Sequence, residues 1–261
     1  MTYSNPPPFF HKAQEIMEPK PIIQFKLNGE STSNSEIDKL ELQACYRALG
    51  NLHSLLTQQS VLDLLSGQIE EGNTYFESLI TKSDGGFREC RTYFKVAGVS
   101  VRDVQMITSR WLLCRPAEEL AARYVLPTHP EHYAAMHGPG SPLSSPPDWG
   151  VEMIGDHMAK VQYIDLEERG QKIPRWMLMK RDYDYEMVEV LVAKLTSGSR
   201  LFYVMNEFMN FDGGCKVRLR TFFPSAAPWT LIKQHAQHLA IEFRNLLTMV
   251  DEAVQELEGN Y

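Results

Sequence analysis

A series of strand-like runs followed by one long amphipathic helix occupies the chain from residue 158 onward, and this order limits the fold more than any other feature of the sequence. Turns containing "ERGQ", "TSGS" and "DGG" separate the runs, which is typical of an antiparallel meander. The helix extends from about Pro228 to Leu257. We therefore predict an α+β fold of the helix-grip kind, in which a curved antiparallel sheet wraps the helix and leaves a cavity for a ligand. The predicted strands are "MAKVQYIDLE", "RWMLMKRD", "YEMVEVLVAKL", "RLFYVMNEFMNF" and "KVRLRTFF".

The N-terminal part of the chain is predicted to be mainly helical. Residues 1–33 are rich in Pro, Asn and Ser and are expected to form an arm, after which leucines recur at helical spacing. Ser33 or Ser35 can cap the first helix. Two helices are predicted to meet near Thr57–Ser60.

A turn at "SDGGF" and a strand at "FRECRTYFKVAG" mark the change from helix to sheet. A short helix follows, with Ser100 as its cap and Asp103 in the place of the usual capping-box glutamate. The segment 138–150, "GPGSPLSSPPDWG", is predicted to be a loop. We predict two regions, an arm and helical region at 1–90 and a helix-grip domain at 91–261.

Composition limits the partners and the kinds of metal ligand. The chain has 261 residues, 43% hydrophobic and 23% charged, and a net charge of −7, so we expect no nucleic-acid partner. No apolar run could span a bilayer and the start lacks the charged and apolar regions of a leader, so we expect a cytoplasmic protein without a membrane partner. Because no cysteine pair has metal-binding spacing, histidines and carboxylates would have to bind any metal. The cysteines are Cys45, Cys90, Cys114 and Cys215.

The stretch "KQHAQHLAIEFRNLL" in the last helix contains a candidate half of a metal site. His238 and Glu242 are one helical turn apart, so their side chains meet on one face. They lie at a flank of the apolar face, beside His235, where a side chain would face a pocket next to the core. A boundary pair hydrogen-bonded to each other or to water is the alternative, since such pairs are common on helix surfaces.

Two other segments could supply further ligands. "RYVLPTHPEHYAAMHG" contains three histidines, and the prolines on both sides of His129 keep the backbone extended and fix the direction of His132. A histidine-rich surface loop is the alternative interpretation. In "DWGVEMIGDHMAKV", Glu152 and His157 come at the start of the predicted sheet, where Glu152 could equally be an ordinary strand-edge carboxylate.

Four segments together resemble the diacetylphloroglucinol hydrolase and phloretin hydrolase family. "RYVLPTHPEHY" resembles its Tyr-x-x-x-x-His-Pro-x-His segment, and "VEMIG" its Glu-x-Ile-Gly step. "DGGCKVRLRTFF" resembles its Gly-Gly strand, and "HLAIEFRNLL" its C-terminal His-x-x-x-Glu-Phe-x-Asn-Leu helix. The resemblance extends from about Gly98 to Leu247, and the last motif is the most specific.

The resemblance implies a START/Bet v1-like helix-grip domain that binds one Zn²⁺ and hydrolyses the carbon–carbon bond between an acyl group and a phloroglucinol-type ring. It also implies a homodimer, because the family's N-terminal part is associated with dimerisation. Tyr124 matches a tyrosine that contacts the substrate, and His129 and His157 are candidates for the proton transfers. Carried over onto this sequence, the zinc ligands would be His132, Glu152, His238 and Glu242.

The sequence departs from the family pattern near the substrate. Thr128 stands where the family has an aromatic residue, and Ala135 where a small polar residue is expected. The strand "YVMNEFMNF" has no histidine where a catalytic one is expected. Two alternatives therefore stay open. One is a non-hydrolytic cyclase, isomerase or pericyclase that acts on an aromatic or polyketide substrate. The other is a hydrophobic-ligand carrier, whose pocket would be lined by Trp111, Trp149, Trp176, Phe202, Tyr203 and Phe222.

Overall fold

A computed structural model describes residues 25–27, 30–106, 125–136, 149–167 and 170–258, and the chain divides into two compact units after Asn51. In the first unit, β1 (Phe25–Leu27) pairs antiparallel with β2 (Glu30–Thr32), and α1 (Asn34–Leu55) begins. The N–H of Glu36 donates to Ser33 Oγ at 3.2 Å, and the N–H of Ser33 donates to Glu36 Oε2 at 2.9 Å. This reciprocal pair is a capping box, so the predicted cap at Ser33 is confirmed.

Helix α2 (Gln58–Ser83) packs on the sheet of the second unit. Thr57 caps it by accepting the N–H of Ser60 at 3.1 Å, which confirms the predicted break near Thr57–Ser60. At Gly72 the helix approaches the sheet so closely that a Cβ would lie 1.8 Å from the carbonyl oxygen of Met158. The predicted division between residues 90 and 91 would separate α2 from the sheet, whereas this packing joins them.

The second unit is built on one sheet of seven antiparallel strands, in the order β3-β9-β8-β7-β6-β5-β4. Helices and an antiparallel sheet follow one another as separate blocks, so the predicted α+β class is confirmed. The strands are β3 (Phe87–Ala97), β4 (His132–Met136), β5 (Trp149–Ile154), β6 (His157–Asp165), β7 (Met187–Leu195), β8 (Arg200–Phe211) and β9 (Gly214–Pro224).

The short helix α3 (Val101–Met106) follows β3 and has the predicted cap. The N–H of Asp103 donates to Ser100 Oγ at 3.2 Å, and the N–H of Ser100 donates to Asp103 Oδ2 at 2.8 Å. Aspartate therefore closes the capping box in place of glutamate.

Two predictions of local structure are wrong. The run "RWMLMKRD" was predicted as a strand but contains the helix α4 (Arg175–Leu178). Pro174 precedes it with φ −55°, and its carbonyl accepts the N–H of Met177 at 2.9 Å, which starts a helical turn. A short apolar run does not distinguish the two elements by itself. The predicted loop 138–150 also ends too late, because β5 already begins at Trp149; residues 137–148 lie outside the described part of the chain.

Helix α5 (Trp229–Glu258) covers one face of the sheet. Cys90 Sγ donates to the carbonyl of Ile232 at 3.4 Å and Thr92 Oγ1 to that of Ala236 at 3.2 Å, so β3 holds the helix along its first turns. The opposite face carries a second core that includes α4. Its buried members are Leu166, Met177, Val190, Val192, Tyr203, Met205 and Phe222.

No helix within the described ranges is long and apolar enough to cross a membrane. Cys90 and Cys215 are buried thiols and Cys45 is an exposed one, while Cys114 lies outside the described residues.

Candidate metal centre and cavity

A short 3-10 helix, Leu126–Thr128, and the first residue of β4 position His132. The ring Nδ1 lies 2.9 Å from the carbonyl oxygen of Val125 and 3.2 Å from Thr128 Oγ1. Since a carbonyl oxygen can only accept, the proton of the neutral ring is on Nδ1, and Nε2 keeps its lone pair. Thr128 therefore helps to orient His132.

Glu152 faces His132 because the two residues are direct partners in the β4–β5 register. Residues opposite each other on antiparallel strands project their side chains to the same face. The phenol of Tyr163 donates a hydrogen bond to Glu152 Oε1. Burial, and then the charge of Glu152, raise the pKa of Tyr163, so the phenol keeps the proton that it donates. The other carboxylate oxygen, Oε2, lies 3.9 Å from His132 Nε2.

Helix α5 brings His238 and Glu242 to the same place. His238 Nε2 lies 3.1 Å from His132 Nε2, 3.4 Å from Glu152 Oε2 and 3.9 Å from Glu242 Oε2. Farther along this helix face, Asn245 Nδ2 donates to the carbonyl of Thr128 at 2.8 Å. This bond ties the turn that positions His132 to the helix that carries His238.

Three buried histidines, His129, His132 and His238, each offer one ring nitrogen within 4.8 Å of the others and could hold a metal ion. The His129 ring stacks on the His238 ring with centroids 3.7 Å apart and planes 21° from parallel. However, the N–H of Glu131 donates to His129 Nδ1 at 3.1 Å, so neutral His129 carries its proton on Nε2. Neither nitrogen of this ring then has a free lone pair.

The pKa values of these groups reflect the burial of the cluster. Burial, and then the charge of His132, lower the pKa of His129 to about 4. Burial and the neighbouring histidines hold the pKa of His238 well below its usual value. Burial raises the pKa of Glu242 to about 7; Glu152 adds to this rise and His132 opposes it. His129 and His238 are therefore neutral imidazoles, the form that a metal ligand requires.

A cavity of about 270 Å³ lies beside the cluster, between the sheet and α5. His132, Glu152 and Glu242 are on its wall, and Tyr163 lines it as well. Most of the remaining wall is apolar. These apolar residues are Val125, Ala134, Ala135, Val151, Leu191, Phe202, Val204, Leu239 and Phe243.

The structure thus brings together the four predicted ligands and His129, but not every predicted residue. His157 stacks on Tyr75 of α2, with ring centroids 3.6 Å apart, and is not among the side chains that line the cavity. Tyr124 lies outside the described residues, so its role stays a prediction.

The aromatic residues expected in a carrier pocket divide between the two faces of the sheet. Phe202 and Trp149 line the cavity. Trp176, Tyr203 and Phe222 do not, because they pack in the second core, so their prediction as pocket residues is wrong. Trp111 lies outside the described residues.

Sequence reasoning missed three residues at this site. Tyr163 could have been found from strand alternation, because it shares a face of β6 with the fully buried Ala159 and Val161. His235 was noted beside His238 but given no role, and it lines the cavity, as does Thr221 of β9. No sequence motif marks Thr221.

Comparisons with known proteins provide no functional assignment. No family model matches the chain, and no curated protein matches it. Among solved structures, an uncharacterised protein from Rhizobium leguminosarum is similar at 14% sequence identity and a TM-score of 0.30, covering 64% of this chain and 97% of its own. The function must therefore be inferred from the site itself.

Proposed function

We propose that the protein is a zinc-dependent hydrolase with a helix-grip fold, which cleaves the carbon–carbon bond between an acyl group and a polyhydroxylated aromatic ring. The observation that carries the proposal is the position of His238 Nε2, which lies 3.1 Å from His132 Nε2, 3.4 Å from Glu152 Oε2 and 3.9 Å from Glu242 Oε2. His132 Nε2 in turn lies 3.9 Å from Glu152 Oε2. Ligands about 2.0–2.2 Å from a tetrahedral zinc are separated by about 3.3–3.6 Å. The separations from His238 Nε2 and between His132 and Glu152 are close to those of zinc ligands.

The hydrogen bonds favour this set over the three histidines. His132 Nδ1 donates to a carbonyl, the usual arrangement for a histidine that binds metal through Nε2. The N–H of Glu131 points at His129 Nδ1, so the proton of neutral His129 cannot move there from Nε2. The Nδ1 of His238 has no such donor and can take the ring proton when Nε2 binds a metal. Two carboxylates also balance the charge of a dication, which three neutral imidazoles would not do. We therefore assign His129 to the surroundings of the site rather than to the ligands.

Each side chain has a defined part in such a site. Bound zinc would supply Lewis acidity to a carbonyl or lower the pKa of a bound water. Tyr163 holds Glu152 by one oxygen so that the other faces the histidines. The apolar wall excludes bulk water from the reacting groups. A cavity of about 150 Å³ can hold benzene, so about 270 Å³ fits one ring with a short acyl chain.

In the proposed reaction, the bond between the ring carbon and the acyl carbon breaks. The hydroxyl of water joins the acyl carbon to give a carboxylic acid, and a proton joins the ring carbon. The resemblance implies that Tyr124 contacts the substrate, and this assignment belongs to the proposal.

A non-hydrolytic enzyme on the same scaffold is the second candidate, and one observation favours it. Ala135, where the family has a polar residue, lines the cavity, and His129 does not line it. The predicted histidines thus supply no proton carrier to the cavity wall. A pericyclic reaction would need no proton transfer, whereas the hydrolysis must protonate the ring carbon.

Metal analysis and product analysis test the proposal. We expect about one zinc per chain in the purified wild type and in His157→Ala, a control whose ring lies against α2, and none in His238→Ala. With 2,4,6-trihydroxyacetophenone we expect equal amounts of acetate and phloroglucinol. Zinc without released acid would favour the non-hydrolytic enzyme, whereas a metal-free, folded and active wild type would contradict the zinc mechanism.

A further inference from the structure

Apart from Nε1 of the partly buried Trp149, two polar groups on the cavity wall have no hydrogen-bond partner among the described residues. They are the hydroxyl of Thr221 and Nδ1 of His235, on side chains whose residues are 1% and 4% exposed. Both residues line the cavity, and neither belongs to the proposed ligand set. Buried polar groups are nearly always hydrogen-bonded, so each of these atoms can take a water molecule or a ligand group as its partner.

The two residues lie on adjacent surfaces of the cavity. His235 projects from α5 against the sheet, where its ring lies 4.8 Å from that of Phe223 and 5.8 Å from that of Phe202. Thr221 is two residues before Phe223 on β9, and therefore on the same face of the sheet. Its direct partner on β8 is Val204, which also lines the cavity.

This polar surface is close to the donor cluster but separate from it. The His235 ring centroid lies 5.7 Å from that of His238. Glu152 comes from β5, whereas Thr221 comes from β9, four positions away in the strand order. The 5.7 Å between the two histidine rings leaves the cluster and the surface formed by Thr221 and His235 within reach of one ligand.

We propose that Thr221 and His235 form a polar anchor that hydrogen-bonds a ring oxygen not bound to the metal, and that this anchor selects aromatic ligands with at least two oxygen substituents. This inference rests on the proposed function only in one respect, that another group of the same ligand binds the metal. Thr221 Oγ can donate or accept, and so can neutral His235, so that either a hydroxyl or an oxo group satisfies the pair. An apolar wall alone could not distinguish such ligands from a ring with one oxygen.

Calorimetric titration of the zinc-loaded full chain with resorcinol and with phenol tests the anchor, because the two probes differ by one ring hydroxyl. We expect the wild type to bind resorcinol about tenfold more tightly than phenol, the value of one well-formed hydrogen bond. In Thr221→Val and His235→Phe, which keep the size or the ring but not the polar atoms, this ratio should fall to within about twofold of unity. Thr221→Ser, which keeps the hydroxyl, should retain the wild-type ratio.

The outcomes separate this inference from the proposed function. Equal affinities in the wild type, no binding of either probe, or an unchanged ratio in both variants would overturn the anchor. If only one of the two variants loses the preference for resorcinol, the residue changed in the other variant has no part in the anchor. If the chain binds no zinc but still prefers resorcinol in a manner that depends on Thr221 and His235, the anchor stands and the zinc hydrolase does not.

Discussion

The two faces of the sheet differ in how some of their buried polar side chains are paired. On the face that carries the second core, Glu207 is 0% exposed and receives two hydrogen bonds from Arg218, while Arg220 Nε donates to Glu89 Oε1 at 2.6 Å. On the cavity face, Thr221 follows Arg220 directly in β9, and its hydroxyl has no partner among the described residues. Neighbouring residues of one strand thus belong to two different polar environments.

This difference separates stability from function. Buried charges that are paired within the chain cost little and fix the packing of the strands that they join. Buried groups without partners lower the stability of the ligand-free protein and are retained where a ligand completes them. The paired groups of the second core therefore belong to the scaffold, and the unpaired groups of the cavity belong to the binding site.

Zinc should change stability through the cavity face alone, and this is the largest effect that we expect. A ligand present at about a thousand times its dissociation constant stabilises the native state by about 4 kcal/mol. Urea unfolding in zinc-buffered and chelator-treated solutions measures this gain. The wild type and Glu207→Leu should gain equally, while His238→Ala should gain nothing. A gain of the same size in His238→Ala would place the metal elsewhere.

Glu207→Leu should destabilise the protein by about 3 kcal/mol, because it leaves Arg218 and Arg220 without their shared buried carboxylate. Thr221→Val on the cavity face should leave the ligand-free stability unchanged or raise it by up to about 1 kcal/mol, because it removes an unpaired hydroxyl. Urea unfolding of both variants without ligand compares the two faces directly. Equal losses would show that the cavity hydroxyl is satisfied within the chain.

Tyr163→Phe should weaken zinc binding by about 10- to 100-fold, since Glu152 loses the hydrogen bond that orients it. Tyr203→Phe is the matched control: its hydroxyl accepts from Arg200 at 3.3 Å on the opposite face. Competition with a chromogenic chelator measures both affinities. Equal affinity in Tyr163→Phe and the wild type would mean that Glu152 is not a ligand or needs no support.

Acid should affect the two faces in different pH ranges, with an effect that is small per pH unit. In the metal-free protein, burial lowers the pKa of His235 from 6.5 to about 3. The stabilisation that comes from burying His235 as a neutral ring is therefore complete above about pH 6.5 and is lost as the pH falls toward 3. Burial raises the pKa of Glu89, but hydrogen bonds from Arg91 and Arg220 outweigh it and lower the pKa from 4.5 to about 2. The Glu89 contribution is lost only between those values.

Denaturant unfolding as a function of pH distinguishes these ranges. His235→Phe should reduce the slope of the free energy of unfolding against pH between pH 6.5 and 4. The reduction should be at most about 1.4 kcal/mol per pH unit, which corresponds to the uptake of one proton. Glu89→Gln should change the slope only below about pH 4.5. A curve for His235→Phe that runs parallel to the wild type would mean that His235 is not held neutral in the native state.

Much of the fold could be predicted from local patterns. The capped starts of α1 and α3, the break between α1 and α2, and most of the strands depend on nearby residues, and these predictions are confirmed. Helix α4 was missed because "RWMLMKRD" is too short for its apolar pattern to distinguish a helix from a strand. Strand β4 was not predicted, because its pairing with β5 is a contact between distant segments. The prediction of extended backbone at Pro127 is wrong, because this residue lies in the 3-10 helix Leu126–Thr128.

The candidate site was less accessible to sequence reasoning. The i,i+4 spacing places His238 beside Glu242, and the resemblance supplied His132 and Glu152 as partners. Tautomers, by contrast, depend on single hydrogen bonds, such as the one from Glu131 to His129, and no spacing predicts them. His157 was predicted to take part in proton transfer, but it stacks on Tyr75 of α2 and does not line the cavity. The sequence does not distinguish Thr221 from other threonines in strands; only its position on the cavity wall does.

The identity of the zinc ligands tests the central claim most directly. X-ray absorption spectroscopy of the zinc-loaded chain counts the imidazoles bound to the metal and measures its bond lengths. We expect two histidines and oxygen donors at about 2.0–2.2 Å, with no sulfur, and the same spectrum from His129→Gln. Three histidines in the wild type that become two in His129→Gln would contradict the account, and so would a chain that binds no zinc.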